Sequence, residues 1–493
     1  MKVLLLLLPF WLYFSSAVFA TTPFQITSAT SLKRKLNDKL TKCRLPGLDE
    51  EVLCGRFEVY EDRAARKGRK ISLHIVVLPA KTDKVAPDPL VYLAGGGVLP
   101  ATEYVAFFAR AFPHLRQHRD ILLVDQRGTG ESNRLDCDLP SPIKDRLTLF
   151  DEVRYLEAIR RCRKELESKA DLRFYTTPIA MDDLDEVRQW LGYSRLNLYG
   201  MSYGTKAALV YMRQHPKRVR AAALHGAIPL DVSIWSDTAP LAQQALERVF
   251  DACAKQEQCR VAFPNLRQEF DSLLKRLSGN PVTVKVESPN GGLQMELTID
   301  DRSVRNFVYG ALFSINAIRE IPLMIHLAFQ EDYRVLAQRL IPRGRGVPRG
   351  IFLSLVCSEG VQQIKPDDVR EAANTFFRDF SIRRQLQICK EWTKAWLPKD
   401  FWKPVTSNAP VLILSSELDH TTPPRYGDTA VRTLTSGRHL VLPSRSHNDV
   451  DPCVTGLIEA FVVSGSVEKL DTSCAANQHS LTFVTSPDAL RKP

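Results

Sequence analysis

Several chemistries are missing from this chain. None of its ten cysteines forms a C-x-x-C pair and no histidine cluster accompanies them, so a zinc site is not indicated. The glycine-bearing segment Asp125-Gln-Arg-Gly-Thr-Gly-Glu-Ser132 lacks G-x-x-x-x-G-K-[ST], which argues against nucleotide binding. No nucleic-acid motif is recognised, and no basic stripe is interleaved with aromatics, so nucleic acid is not an expected partner. Beyond the first twenty residues no segment reads as transmembrane, and no internal repeat is found. No metal and no organic cofactor is called for.

What remains is an ordinary globular composition. The 493 residues are 44% hydrophobic and 25% charged, enough for a large core. Lys2, the apolar run Val3 to Phe14 and the small-residue end at Ala20 form a secretory signal, with cleavage expected after Ala20. Export to a periplasm or the medium follows, with no integral membrane segment once the signal is removed. No cysteine stands directly after the cut, so a lipoprotein anchor is not indicated. The cysteines are Cys43, Cys54, Cys137, Cys162, Cys253, Cys259, Cys357, Cys389, Cys453 and Cys474. An even count in an exported chain favours disulfides, and pairing neighbours in order is the expectation. The net charge of +11 thickens at 31–42 and 342–349, which reads as solvated basic surface.

Period and punctuation give the fold class. Gly55 to Tyr60 and Ile71 to Leu78 read as an antiparallel pair. Leu90 to Leu93, Asp120 to Val124, Leu196 to Tyr199 and Val219 to Leu224 are continuous apolar runs alternating with helical patterns. Such runs mark strands buried on both faces, so the class is α/β with a mainly parallel sheet covered by helices. The alternation stops near Ser233 and returns at Pro410 to Ser415 and Arg438 to Leu442. The expected organisation is a signal at 1–20, a core at 21–233 and a mostly helical cap at 234–400. The core resumes at 401–475, and a polar tail follows at 476–493.

The chemistry centres on Gly200-Met-Ser-Tyr-Gly204, a G-x-S-x-G between a strand and a helix. In that context the serine occupies a sharp turn and its hydroxyl stands clear of the sheet. Such a serine needs a base and an acid to orient the base. Asp419 follows the Val411 strand and His447 follows the Leu440 strand, each in a strand-end turn. The order Ser202, Asp419, His447 is that of an α/β-hydrolase triad. Rival histidines are His439 and His420; rival acids are Glu417 and Asp428. Ala94-Gly-Gly-Gly-Val98 ends another strand and suits an oxyanion donor, Gly96, beside the first helical amide, Tyr203.

With these residues in view, positions 53 to 476 resemble the tripeptidyl aminopeptidase and prolyl iminopeptidase branch of the α/β-hydrolases. Ala94 to Val98, Asp125 to Ser132, Gly200 to Gly204 and the stretch Pro410 to Cys474 carry the resemblance. It implies an α/β-hydrolase fold, an acyl-enzyme mechanism and a peptide substrate with a free N-terminus. It also implies a carboxylate in the cap that binds the substrate's ammonium, for which Glu359 is the candidate. The family's Gly-Gly-Pro-Gly is altered here, with Gly97 at the proline position and Val98 at the last glycine. Gly97 is expected to loosen the loop. An ester or lipid hydrolase with the same triad, or an inactive hydrolase-fold binding protein, are the alternatives. The oligomeric state is left open.

Overall fold

The protein's computed structural model describes residues 36–140, 151–287, 294–341, 348–476 and 481–491. The expected signal peptide and most of the basic stretch at 342–349 lie outside these residues.

The sheet is built from nine strands: β1 (Thr41–Cys43), β2 (Val52–Tyr60), β3 (Lys70–Leu78), β4 (Leu90–Leu93), β5 (Ile121–Val124), β6 (Leu196–Met201), β7 (Val219–His225), β10 (Val411–Ser416) and β11 (Gly437–Leu442). Their spatial order is β1-β2-β3-β5-β4-β6-β7-β10-β11. The strands from β5 to β11 are parallel in that order, whereas β1, β2 and β3 join antiparallel at one edge.

The apolar runs explain the layering. Along β4, Val91 and Leu93 point into one core with the helices Thr177–Leu191 and Tyr203–Gln214. Leu90 and Tyr92 point into the opposite core with the helices Val105–Ala111 and Pro452–Ser464. The same alternation holds in β10, where Ile413 faces the first core and Leu412 and Leu414 the second. A strand with period two and apolar side chains at every position must be covered on both sides.

Between β7 and β10 no described residue joins the main sheet. The chain passes through helices, among them Ile234–Lys255, Leu266–Gly279, Asp301–Ala311 and Phe380–Glu391. A separate hairpin, β8 (Val282–Glu287) with β9 (Gln294–Ile299), packs on them. These elements hold their own core around Leu246, Phe270, Leu277 and Ile325. The tail is less polar in its role than its composition suggests. Phe483 is buried against this helical core, and its amide donates to Gln256 Oε1 at 3.0 Å. Val484 N–H donates to Arg319 O at 3.0 Å, and the side chains of Gln256 and Arg319 donate to the carbonyls of Leu481 and Thr482, so hydrogen bonds and a buried ring dock the segment.

All ten cysteines pair in chain order: 43–54, 137–162, 253–259, 357–389 and 453–474. The segment Asp125 to Ser132 is a brace. Arg127 is buried, and its guanidinium donates to both oxygens of Asp183 at 2.6 and 2.8 Å. Asp125 accepts from the amides of Thr102 and Glu131, which pins the loop after β4.

The Cys357–Cys389 bridge closes a sequence separation of 32 and ties Glu359's segment to helix Phe380–Glu391. Loop-closure entropy gives this bridge about 3–4 kcal/mol. Replacing both cysteines by alanine is expected to lower the unfolding free energy by that amount in a denaturant titration. An unchanged midpoint contradicts the assignment.

Candidate active site

Ser202 sits where β6 turns into helix Tyr203–Gln214, at φ 54° and ψ −120°. A side chain other than glycine pays roughly 1–3 kcal/mol for such a conformation, and the surroundings must enforce it. Two close approaches do so. A methyl group at Gly200 would overlap the carbonyl of Gly204, and one at Gly204 would overlap the carbonyl of Leu93 in β4. The G-x-S-x-G pattern is thus a packing requirement. Ser202 N–H donates to His225 O at 2.9 Å, and Thr205 N–H closes the first turn on Ser202 O at 2.9 Å.

The other two predicted residues meet beyond the ends of β10 and β11. His447 Nδ1–H donates to Asp419 Oδ2 at 2.7 Å. Because the carboxylate only accepts, the neutral ring keeps its proton on Nδ1 and its lone pair on Nε2. Asp419 is fully engaged. Oδ1 accepts from the amides of Thr421 and Thr422, each at 2.8 Å, and Oδ2 also accepts from Thr422 Oγ1 at 2.6 Å. Burial acts to raise this carboxyl's pKa, but the His447 ring and the Thr422 bonds outweigh it and hold it well below the usual carboxylate range.

Ser202 and His447 line one cavity of about 390 Å³. Gly96, Tyr203 and Glu359 line it too, among apolar side chains such as Leu99, Ile234, Trp235, Phe313 and Leu355. Phe313 comes from the helical segment and meets the His447 ring edge-on at 5.4 Å. Asn448 N–H donates to Phe313 O at 2.8 Å, which ties the histidine loop to that segment. A larger cleft, about 1020 Å³, runs along helix Asp301–Ala311 beside Arg302, Arg305 and Arg384, and none of the predicted site residues lines it.

The oxyanion segment departs from proline for a visible reason. Gly97 has φ +69°, which proline's ring forbids, and it is buried against Leu355 and Tyr203. Val98 is buried in a cluster with Leu353, Leu355 and Val356, behind the residues that line the cavity, and does not line it itself. Glu359 is buried, and its carboxylate accepts from Thr177 N–H at 2.6 Å and Thr177 Oγ1 at 2.7 Å.

The rival residues have other partners. His439 bonds Asp428 at 2.9 Å and Ser415 Oγ at 2.9 Å, a triad-like chain, but Ser415 is wholly buried inside β10. Glu417 accepts from Ser444 N–H. His420 packs against Phe313 at 4.5 Å. Sequence reasoning passed over Thr422. The signal was there: an Asp followed by hydroxyl residues two and three positions on is a side-chain-capped turn.

Two histidines beside this site are buried. Burial pushes the pKa of His225 and of His420 from 6.5 down to about 4. Between those values the unfolded chain holds more protons than the native one, so native stability falls as pH drops from about 6.5 toward 4. The shift corresponds to roughly 3 kcal/mol per histidine at most. The thermal midpoint is expected to drop between pH 7 and 5, and less steeply in His225→Gln or His420→Asn. A flat profile, or identical slopes in all three proteins, contradicts this.

Comparison with known proteins agrees with this geometry. The profile described as alpha/beta hydrolase fold matches residues 88–451. "Putative hydrolase YuaR" of Escherichia coli (strain K12) is 26% identical over 249 residues, covering 47% of this chain and 49% of that protein. Tripeptidyl aminopeptidase of Streptomyces coelicolor is 24% identical over 477 residues, covering 87% and 84%. Serine protease Hip1 of Mycobacterium tuberculosis (H37Rv) is 27% identical over 234 residues, 44% of each chain. The matches to YuaR and Hip1 thus span about half of those proteins or less. With the sheet order, the strained serine and the profile match in agreement, the chain belongs to the family with the alpha/beta hydrolase fold.

Proposed function

We propose that this serine hydrolase is an exported aminopeptidase that releases one or a few N-terminal residues from peptides through an acyl-enzyme. The observation that carries it is the Asp419–His447 bond at the rim of the cavity that Ser202 also lines. In this reading Ser202 attacks the carbonyl while His447 Nε2 takes its proton and later hands it to the leaving amine. Asp419 fixes the Nδ1–H tautomer and steadies the imidazolium that forms. The amides of Tyr203, at the positive end of its helix, and of Gly96 hold the oxyanion. The helices from 234 to 400 act as a cap that walls the cavity from water, and Glu359 faces the substrate's free ammonium.

The similarity to a tripeptidyl aminopeptidase, over 87% of this chain and 84% of that protein, supports the peptidase reading. Five disulfides fit an oxidising compartment, and among the described residues no helix is long and apolar enough to cross a membrane. One observation favours a second reading. The cavity wall is mostly apolar, which would also suit the acyl chain of an ester.

Assays in parallel on aminoacyl and tripeptidyl amides, their N-acetylated forms and short acyl esters separate the two. Free-amine amides are expected to turn over best. Dominant ester turnover with inert peptides removes the peptidase reading. Ser202→Ala is expected to lower kcat at least about 10⁴-fold on every substrate. Glu359→Gln is expected to lower the preference for free over acetylated N-termini; an unchanged preference removes the ammonium role.

A further inference from the structure

The cavity beside Ser202 holds a second charged side chain that the mechanism does not use. Lys206 lies four residues after Ser202, in the first turn of helix Tyr203–Gln214, and both residues line the cavity. Its side chain lines the cavity with Glu359, among Leu99, Ile228, Trp235 and Leu355. The two charges differ in how they are satisfied. Glu359 has both oxygens engaged by Thr177, and the Thr177 hydroxyl is in turn 2.6 Å from the Tyr203 phenol. Lys206 offers three donors. Among the described residues none accepts from its ammonium, and the Phe401 ring lies 6.0 Å away, at the outer limit of a cation–π contact. Glu359 acts on it through space without a close ion pair, while burial works to discharge it.

A half-buried ammonium in a mostly apolar cavity, with no protein acceptor within hydrogen-bond reach, is costly, and the cost falls when a ligand brings a carboxylate. We propose that Lys206 selects substrates that carry a carboxylate on the acyl side of the scissile bond, as an acidic side chain among the released residues. This rests on the acyl-transfer reading of the Ser202 site. A free N-terminal ammonium near Glu359 and a side-chain carboxylate on Lys206 leave the filled cavity neutral. A basic side chain there meets an unpaired cation instead. The competing account makes Lys206 only a distant counter-charge that stabilises buried Glu359.

The test is a ratio of kcat/KM values on matched amides with N-terminal Glu, Gln or Lys. A charged hydrogen bond of this kind corresponds to about ten- to a hundredfold. The wild type is expected to prefer Glu over Gln by at least about tenfold. Lys206→Gln and Lys206→Met are expected to bring that ratio close to one, and Lys206→Glu to invert the preference toward Lys. A mere counter-charge lowers turnover of all three substrates together and leaves the ratio in place, which overturns the proposal. So does a wild type with no preference for Glu. Thermal unfolding checks that each variant folds, and Met serves if Gln does not. If the wild type cleaves p-nitrophenyl esters but no aminoacyl amide, the aminopeptidase reading fails alone. The same ratio is then read on the p-nitrophenyl monoester of glutaric acid against the pentanoate.

Discussion

Three stretches of backbone press together around Ser202, and the rest of the site depends on that contact. The end of β4, the end of β6 and the first turn of helix Tyr203–Gln214 approach so closely that only glycine fits at positions 200 and 204. The approach forces Ser202 to positive φ and lifts it above the sheet. Gly96 and Tyr203 line the same cavity as Ser202. The strain is local and is held by the parallel pairing of β6 with β4 on one side and β7 on the other.

The residues proposed as partners of that serine arrive from far along the chain. The sheet is interrupted after β7 by the helical segment and completed by β10 and β11, and the turns after those two strands carry Asp419 and His447. Thr421 and Thr422 lock the carboxylate, the carboxylate locks the imidazole, and Phe313 covers the ring. Through the Asn448–Phe313 bond, a movement of the helical segment would be felt at the histidine loop. The apolar wall and the buried charges are therefore set by the helical segment and the sheet together.

Much of this was legible in the sequence because the signals are local. Apolar runs with both faces buried marked the parallel strands, and G-x-S-x-G between a strand and a helix marked the serine. Pairing of neighbouring cysteines, an expectation that spacing alone did not fix, is what the structure shows, with sequence separations from 6 to 32. What escaped depended on distant contacts. Thr177 acquires its place only because helix Thr177–Leu191 starts against Glu359. The docked tail looked polar because its few apolar residues, Leu481, Phe483, Val484 and Leu490, are scattered, and only the distant helical core shows that they pack together. Gly97 suggested looseness, yet positive φ under Leu355 and Tyr203 is a tightly packed conformation that needs glycine. The Ser415, His439 and Asp428 chain makes the converse point. Triad-like bonds mean little when the hydroxyl has no cavity to face.

The central claim is that the Ser202 hydroxyl is the activated nucleophile. It is tested most directly by treating the protein with a fluorophosphonate and locating the adduct by peptide mass spectrometry. The account predicts a single adduct on Ser202, formed far more slowly in His447→Ala. Modification at another serine, or no modification of a folded protein, would contradict it.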